Sequence, residues 1–371
     1  MAVIFVIINI MGRFMKTYRL ALTVMVLFGT VSCDNYTYFT FKECESVNEF
    51  PMTGTIENPE IIKIDAIGVN GLKCVRDYLL VSTFNPDGTL AAFTKDGKPV
   101  SEPFLKVGRG PGEVLFPPYM SWIDFHDDGK TIFAGMYNQK GAYIDYDILK
   151  SIENGVASWT CVMDSLSMES GARYMRCGQE RFICRKSQPQ MTGYERFFLD
   201  KSGDKTANTS MEYLNSISST DNNILSTLIL SSPDGKNIAE LGSRTNIAHI
   251  YSVSDDFQKT LVIGDGLKPI KELEKQEEED MLKHFYDAKA YDTFFVALYL
   301  GCKISELDNG TFPPPSLLFF DWKGKPSAEI KLPVQTLCFE IDVTEQDLYI
   351  VDYETEHIFR YDIDSICQQL L

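Results

Sequence analysis

A repeat of about 53 residues constrains this chain more than any other feature. Once per unit, an apolar run ends in a hydrophobic residue just ahead of a polar turn. These residues are Phe93, Tyr146, Leu199, Val253, Phe320 and Tyr361, at intervals of 53, 53, 54, 67 and 41. The one long interval is offset by the short one after it. Between the markers the chain reads as strands joined by tight turns. Tyr78 to Phe84 leads into Asn85-Pro86-Asp87-Gly88, then Thr89 to Thr94 into Lys95-Asp96-Gly97-Lys98. The pattern recurs where Asp127-Asp128-Gly129 precedes Thr131 to Met136, and where Ile224 to Ser231 precedes Ser232-Pro233-Asp234-Gly235-Lys236. Asp and Gly tolerate the backbone that two-residue hairpins demand, so each unit is an antiparallel meander.

A period near 50 with three or four short strands suits the blade of a propeller, where neighbouring blades cover each apolar sheet. The length predicts an all-β, six-bladed β-propeller over 61–371; seven blades is the nearest alternative. The ring must close, and an N-terminal strand, Tyr36 to Lys42 or Ile61 to Asp65, is expected to complete the last blade. Lys268 to Asp287 breaks the pattern: rich in Glu and Lys, it predicts a short helical insertion near 268–287.

The N-terminus predicts an address. After Met15, Lys16 and Arg19 comes an uncharged stretch from Leu20 to Val31, then Ser32-Cys33. A short basic region, an apolar stretch and a small residue before the break describe an export signal. The stretch is shorter than the roughly 20 apolar residues that span a bilayer. A cysteine at the break matches the lipobox of bacterial lipoproteins, although Thr30 stands where Leu is usual. The expected organisation is a signal peptide at 1–32, with Met11 or Met15 as the true start, acylation at Cys33, a lipid-anchored segment at 33–60, and the propeller. Membrane contact is then through the lipid alone. Export permits disulfides, yet the remaining eight cysteines are scattered without a CxxC pair and read as small buried hydrophobes. Cys177 and Cys184 are candidates to face each other across a hairpin.

Charge excludes one class of partner. The chain carries a formal −17, and losing Arg13, Lys16 and Arg19 with the signal takes it to −20. Such a surface repels phosphate backbones, so nucleic acid is not expected. Catalytic signatures are sparse. There is no GxSxG elbow, and His126, His249, His284 and His357 lie in different repeats without metal-ligand spacing. Asp124 to Gly129 loosely matches a calcium loop, but Gly135 stands where the bidentate acid belongs, and a hairpin turn is the better reading. No cofactor is expected, although calcium on the axis would serve an enzyme of this shape. Trp122, Tyr143, Phe294, Phe295 and Trp322 are candidates for a sugar-binding surface or for packing between blades.

One segment carries a family resemblance. Gly108-Arg109-Gly110-Pro111-Gly112-Glu113, followed by Phe116-Pro117, resembles the Gly-Arg-Gly-Pro-Gly-Glu segment of TolB-like six-bladed propeller lipoproteins of Gram-negative bacteria. The resemblance implies a fold and an envelope location, and no reaction. Read physically, three glycines in five residues allow tight curvature and close approach of another chain or ligand. Arg109 and Glu113, with Gly108, Gly110 and Gly112, form the candidate binding loop; the competing reading is a structural joint between blades one and two.

These readings converge on a lipid-anchored envelope propeller that binds a protein, a small ligand or a glycan. Its expected place is the outer membrane, facing periplasm or exterior. The alternatives are a metal-assisted hydrolase or lyase with an axial site, and a glycan-binding accessory lipoprotein.

Overall fold

The computed structural model describes residues 37–166, 172–178, 181–264 and 266–370. Cys33 and the segment 1–32 lie outside the described residues. The compact unit Tyr38–Leu371 is built from six sheets.

Three short strands come first: β1 (Cys44–Val47), β2 (Met52–Thr55) and β3 (Glu60–Ile62). Blade I holds β4 (Val69–Val75), β5 (Tyr78–Thr83) and β6 (Leu90–Thr94), with Pro99 and Phe104 bridging to the last of these. Blade II holds β7 (Asp124–Asp127), β8 (Ile132–Tyr137), β9 (Tyr143–Asp147) and β10 (Ser158–Met163). Blade III holds β11 (Arg173–Arg176), β12 (Arg181–Ser187), β13 (Tyr194–Asp200) and β14 (Lys205–Thr206). Blade IV holds β15 (Thr227–Ser231), β16 (Asn237–Gly242), β17 (Ile247–Ser252) and β18 (Gln258–Ile263). Blade V holds β19 (Leu282–Ala290), β20 (Phe294–Lys303), β21 (Ser316–Asp321) and β22 (Pro326–Lys331). Blade VI holds β23 (Phe339–Asp342), β24 (Asp347–Val351) and β25 (Ile358–Asp362).

The six markers of the repeat fall on the third strand of each blade. Phe93, Tyr146, Leu199, Phe320 and Tyr361 are buried within β6, β9, β13, β21 and β25, and Val253 follows β17. A third strand lies inside its own sheet and between two neighbouring sheets, so an apolar residue there is required in every unit. The core accordingly lies between blades. Leu80 and Ala92 meet Met136 and Tyr146 between I and II, and Tyr143 meets Phe182 and Cys184 between II and III. Phe198 meets Ile238 and Tyr251 between III and IV, and Ala239 and Ile250 meet Phe295 between IV and V. Val296 and Phe319 meet Ile341 and Ile350 between V and VI, and Tyr349 and Val351 meet Leu72 and Val81 between VI and I. That last interface shuts the circle.

Closure is more elaborate than one strand. Of the two candidates, the later supplies it: β3 pairs antiparallel with β25, Ile62 opposite Ile358. The segment before it is a strap along the outside of the ring. β1 pairs in parallel with β18 of blade IV, and β2 in parallel with β22 of blade V, each adding a fifth strand. Upstream, Phe39 and Phe41 are buried against His249, and Phe41 also against Tyr251. The Phe41 N–H donates to Thr260 Oγ1 at 2.7 Å.

Two expectations are corrected here. The insertion after blade IV is helical only in two short turns, Ile270–Leu273 and Glu278–Asp280; from Leu282 the chain is β19, the long inner strand of blade V. Leu282, Phe285 and their neighbours belong to a strand whose alternation is broken by irregular register near Lys283 to Asp287, which a helical period imitates. Nor do Cys177 and Cys184 face each other: the register sets Cys184 opposite Tyr174, and all eight described cysteines are free thiols. Cys177, Cys184, Cys302, Cys338 and Cys367 are buried as small hydrophobes; Cys44 and Cys161 are exposed. Among the described residues no helix is long and apolar enough to cross a membrane.

Candidate functional site

The first strand of every blade is its free edge and lies toward the axis; β23 packs beside β4, β11 beside β15, and β15 beside β19. In an antiparallel meander the start of the first strand and the end of the second share one end. That end of all six blades is one face of the ring, termed the front face; the opposite one is the back face.

A cavity of about 540 Å³ opens on the front face, spanning blades I to IV. Phe84 follows β5, Phe116, Pro117, Tyr119 and Trp122 precede β7, Tyr137 ends β8, and Arg173 and Tyr174 open β11. The volume lies within the range of small-ligand sites, and the lining is chiefly apolar and aromatic with few polar groups. Its rim is exposed: Phe116 retains 66%, Phe84 58% and Tyr119 43% of their surface, and Ile67 on the same face 85%. Contiguous exposed apolar surface of this kind is uncommon on a soluble domain and marks binding faces. The walls are rigid aromatic pairs, Tyr119 with Trp122 at 4.8 Å and Tyr137 with Tyr174 at 4.9 Å between centroids.

Arg173 is the charged group in this wall, beside the polar Ser121 and Gln139. Its guanidinium lies 3.6 Å from the Trp122 ring centroid, a cation–π stack. Burial, and then the charge of Arg185, pull it down to about 9, so it remains charged at neutral pH. Behind it Lys283 donates to Ser243 Oγ at 2.5 Å, and burial, Arg244 and Arg173 pull its ammonium down to about 8. His284 accepts from or donates to Tyr299 Oη at 3.1 Å and is held near 4 by burial, Lys268 and Lys283.

The glycine-rich loop stands beside this cavity and supports it. Glu113 Oε2 accepts from the Gly110 N–H at 2.6 Å, the Gly108 N–H donates to the Val114 carbonyl at 2.8 Å, and Lys140 Nζ donates to the Gly110 carbonyl at 2.7 Å. A Cβ at Gly108 would lie 2.2 Å from Glu113 Oε2, and one at Gly112, whose φ is +70°, would lie 2.0 Å from Trp159 Nε1. The backbone can curl this tightly only without those side chains. Arg109 is exposed, and Glu113 is engaged by the loop backbone instead of by Arg109. The chain leaves the loop at Val114 and reaches Phe116 two residues later, with Leu115 N–H donating to Gln139 Oε1 at 3.2 Å. The motif thereby sets the position of a rim aromatic.

Of the five aromatics considered from sequence, only Trp122 reaches the cavity; Tyr143, Phe295 and Trp322 are buried between blades and Phe294 is half-buried. Phe84 and Tyr119 were not singled out, nor was Arg173. A signal was present for Phe84: an aromatic directly before the Asn-Pro-Asp-Gly turn, where no neighbouring blade covers it.

The other polar groups turn on one another. On the back face a cleft of about 310 Å³ is lined by Lys73, Lys95, Glu340 and Asp342. Lys73 Nζ lies 2.7 Å from Glu340, Lys95 Nζ 2.5 Å from Asp342, and Lys289 Nζ 3.4 Å from Asp287. Between blades II and III, burial raises the Asp124 carboxyl to about 7 against hydrogen bonds from the Arg176 N–H and Tyr143 Oη. Arg176 grips Asp145 through Nη2 at 2.7 and 2.8 Å. The Asp124 to Gly129 segment is the hairpin turn read from sequence: Asp127 accepts from the Gly129 N–H at 2.7 Å and Asp128 from the Thr131 N–H at 2.8 Å. The four histidines occupy blades II, IV, V and VI, and no cluster of three metal-ligating groups forms among the described residues.

No family model and no curated protein sequence matches this chain. Solved structures resemble it distantly. The β-propeller domain of Cps50 (Swd1) from Myceliophteria thermophila aligns at 11% identity and TM-score 0.44, covering 82% of this chain and 100% of that one. Raptor of Chaetomium thermophilum aligns at 8% identity and TM-score 0.45, over 83% of this chain and 29% of that one. Hydrazine synthase of Kuenenia stuttgartiensis aligns at 13% identity and TM-score 0.41, over 83% and 80%. The class is defined by the six sheets themselves: a six-bladed β-propeller with an aromatic-rimmed cavity on one face.

Proposed function

We propose that this chain is a lipid-anchored propeller of the cell envelope, of the TolB-like kind, that works as a binding module through its front face. The observation that carries the reading is the exposed aromatic rim of Phe84, Phe116 and Tyr119 around the 540 Å³ cavity. A ring without an occupant would gain by covering or replacing such surface with polar side chains. The signal-like N-terminus ending at Cys33 and the Gly108 to Glu113 resemblance support export, acylation and placement in the outer membrane.

The test is a photo-reactive amino acid placed at Phe116, and in a second strain at Lys98 in a back-face turn. After irradiation of intact cells, the purified protein is searched by mass spectrometry for adducts of any size. A defined adduct at 116 and none at 98 is expected; equal labelling at both, or none at 116, would defeat the front-face reading. Separately, Cys33→Ser is expected to release the protein from the membrane fraction. Retention on the membrane would defeat the acylation reading.

A further inference from the structure

The front-face cations lack the counter-charges that this ring supplies elsewhere. Arg173 sits directly across the sheet from Arg185, and like charges so placed repel. Arg185 is engaged behind it, donating through Nη1 to the hydroxyl and carbonyl of Thr227. Arg173 has its stack on Trp122 and, among the described residues, no carboxylate partner. Lys283 likewise has Ser243 Oγ and no carboxylate. Arg244 reaches Glu278, an exposed residue of the insertion, at 2.9 Å, while its buried Nη1 has no hydrogen-bond partner. Three neighbouring cations thus share one exposed carboxylate in a protein with 52 acidic residues against 35 basic ones. A desolvated charge without its counter-ion is costly, and folding alone does not repay it.

The same place carries flat apolar walls. Trp122 and Tyr119 offer ring faces, Phe116 stands over the rim, and the guanidinium of Arg173 is itself a planar stacking surface. Resting on the proposal that the front face binds, we infer that its cavity takes a small ligand joining a planar ring to an anionic group. The ring lies among Trp122, Tyr119 and Phe116, and the anion pairs with Arg173 in the positive field of Lys283 and Arg244. The overall −17 charge does not oppose this, because salt screens distant charges over about 8–10 Å while Arg173 stands in the cavity wall with Lys283 behind it.

The test titrates the full-length protein in detergent, with matched micelles on both sides, by calorimetry. The probes are 2-naphthoate, its neutral amide 2-naphthamide, and inorganic phosphate. The expected order is naphthoate about tenfold tighter than the amide, the scale of one charge-assisted hydrogen bond, with phosphate weakest. Arg173→Gln and, independently, Lys283→Gln are expected to erase most of the preference for naphthoate over the amide. Phe116→Ala should weaken both ring probes. Melting curves identify any variant that fails to fold, and the two charge variants lie on different strands. Equal affinity for naphthoate and amide would overturn the anionic half and leave the cavity standing as a binding site. Phosphate binding as tight as naphthoate would overturn the ring half. Failure of both ring probes would overturn the inference together with the cavity as a small-ligand site.

Discussion

On the back face Lys73, Lys95 and Lys289 each lie within 3.4 Å of a carboxylate, whereas on the front face Arg173 and Lys283 have none among the described residues. The ammonium groups register the difference. Burial would lower Lys95 and Lys289, but Asp342 for the first and Asp287 with Glu340 for the second prevail, and both stand above the ordinary lysine value. Lys283, surrounded by Arg244 and Arg173, goes the other way, to about 8. Lys73 with Glu340 and Lys95 with Asp342 join blades I and VI, whereas Arg173 and Lys283 have no paired carboxylate among the described residues. The contrast matters because a propeller has two similar openings, and geometry alone does not say which one is used.

The contrast can be broken by mutation. The largest effect is expected inside the ring, where Arg196 grips Glu240 at 2.8 Å with side chains only 1% and 0% exposed. Glu240 also accepts from Thr227 and Tyr251, so Glu240→Ala strands a buried guanidinium and is expected to cost about 3–5 kcal/mol in denaturant unfolding. Lys73→Met on the back face leaves Glu340, itself 1% exposed, with a weaker partner set, and should cost about 1–3 kcal/mol by the same assay. Glu113→Ala removes the acceptor that curls the glycine-rich loop. A loss of about 1 kcal/mol is expected, with weakened binding at the neighbouring cavity, read by melting and by the naphthoate titration.

The smallest stability changes belong to the front face. Arg173→Met should cost no more than about 1 kcal/mol, since an unpaired charge gives way to an apolar side chain of similar length. A loss matching that of Lys73→Met would make these cations structural and remove the distinction between faces. Lys283 adds a pH signature. Its folded value near 8 lies below the ordinary 10.4, so its charged form is penalised in the folded state. Its contribution to stability is present above about pH 10 and lost as pH falls through 8. Lys283→Met is therefore expected to be more stable than the parent at pH 7, with the gap closing above about pH 10, by melting at each pH. A gap independent of pH would refute the unpaired-charge reading.

Much of the architecture was legible in the residues. The markers from Phe93 to Tyr361 recur because every third strand must be apolar on both faces, so the period survives even where one insertion stretches it. The Asp-Gly turns were legible for a local reason, since the backbone they need is set within four residues. The strap was not. β1 and β2 are four residues each, with no long apolar run, and their partners lie more than 200 residues away in blades IV and V. The helical reading of the insertion holds for Ile270–Leu273 and Glu278–Asp280 but overran into β19, which breaks alternation at its irregular register, and spacing alone cannot separate that from a helix.

The site divides along the same line. Sequence sufficed to mark the Gly108 to Glu113 loop, because tight backbone curvature has a local composition, and it brought Phe116 along. It sufficed for the net charge and for the six-unit count, which are sums over the chain. Only the folded ring decided that Phe84, Tyr119, Trp122 and Arg173, drawn from three blades, share one wall. Only the ring decided that Lys73 and Lys289 find carboxylates while Arg173 and Lys283 do not. Pairing of charges and exposure of aromatics are properties of what stands opposite. In a propeller that is set by closure of the circle, between residues up to hundreds of positions apart.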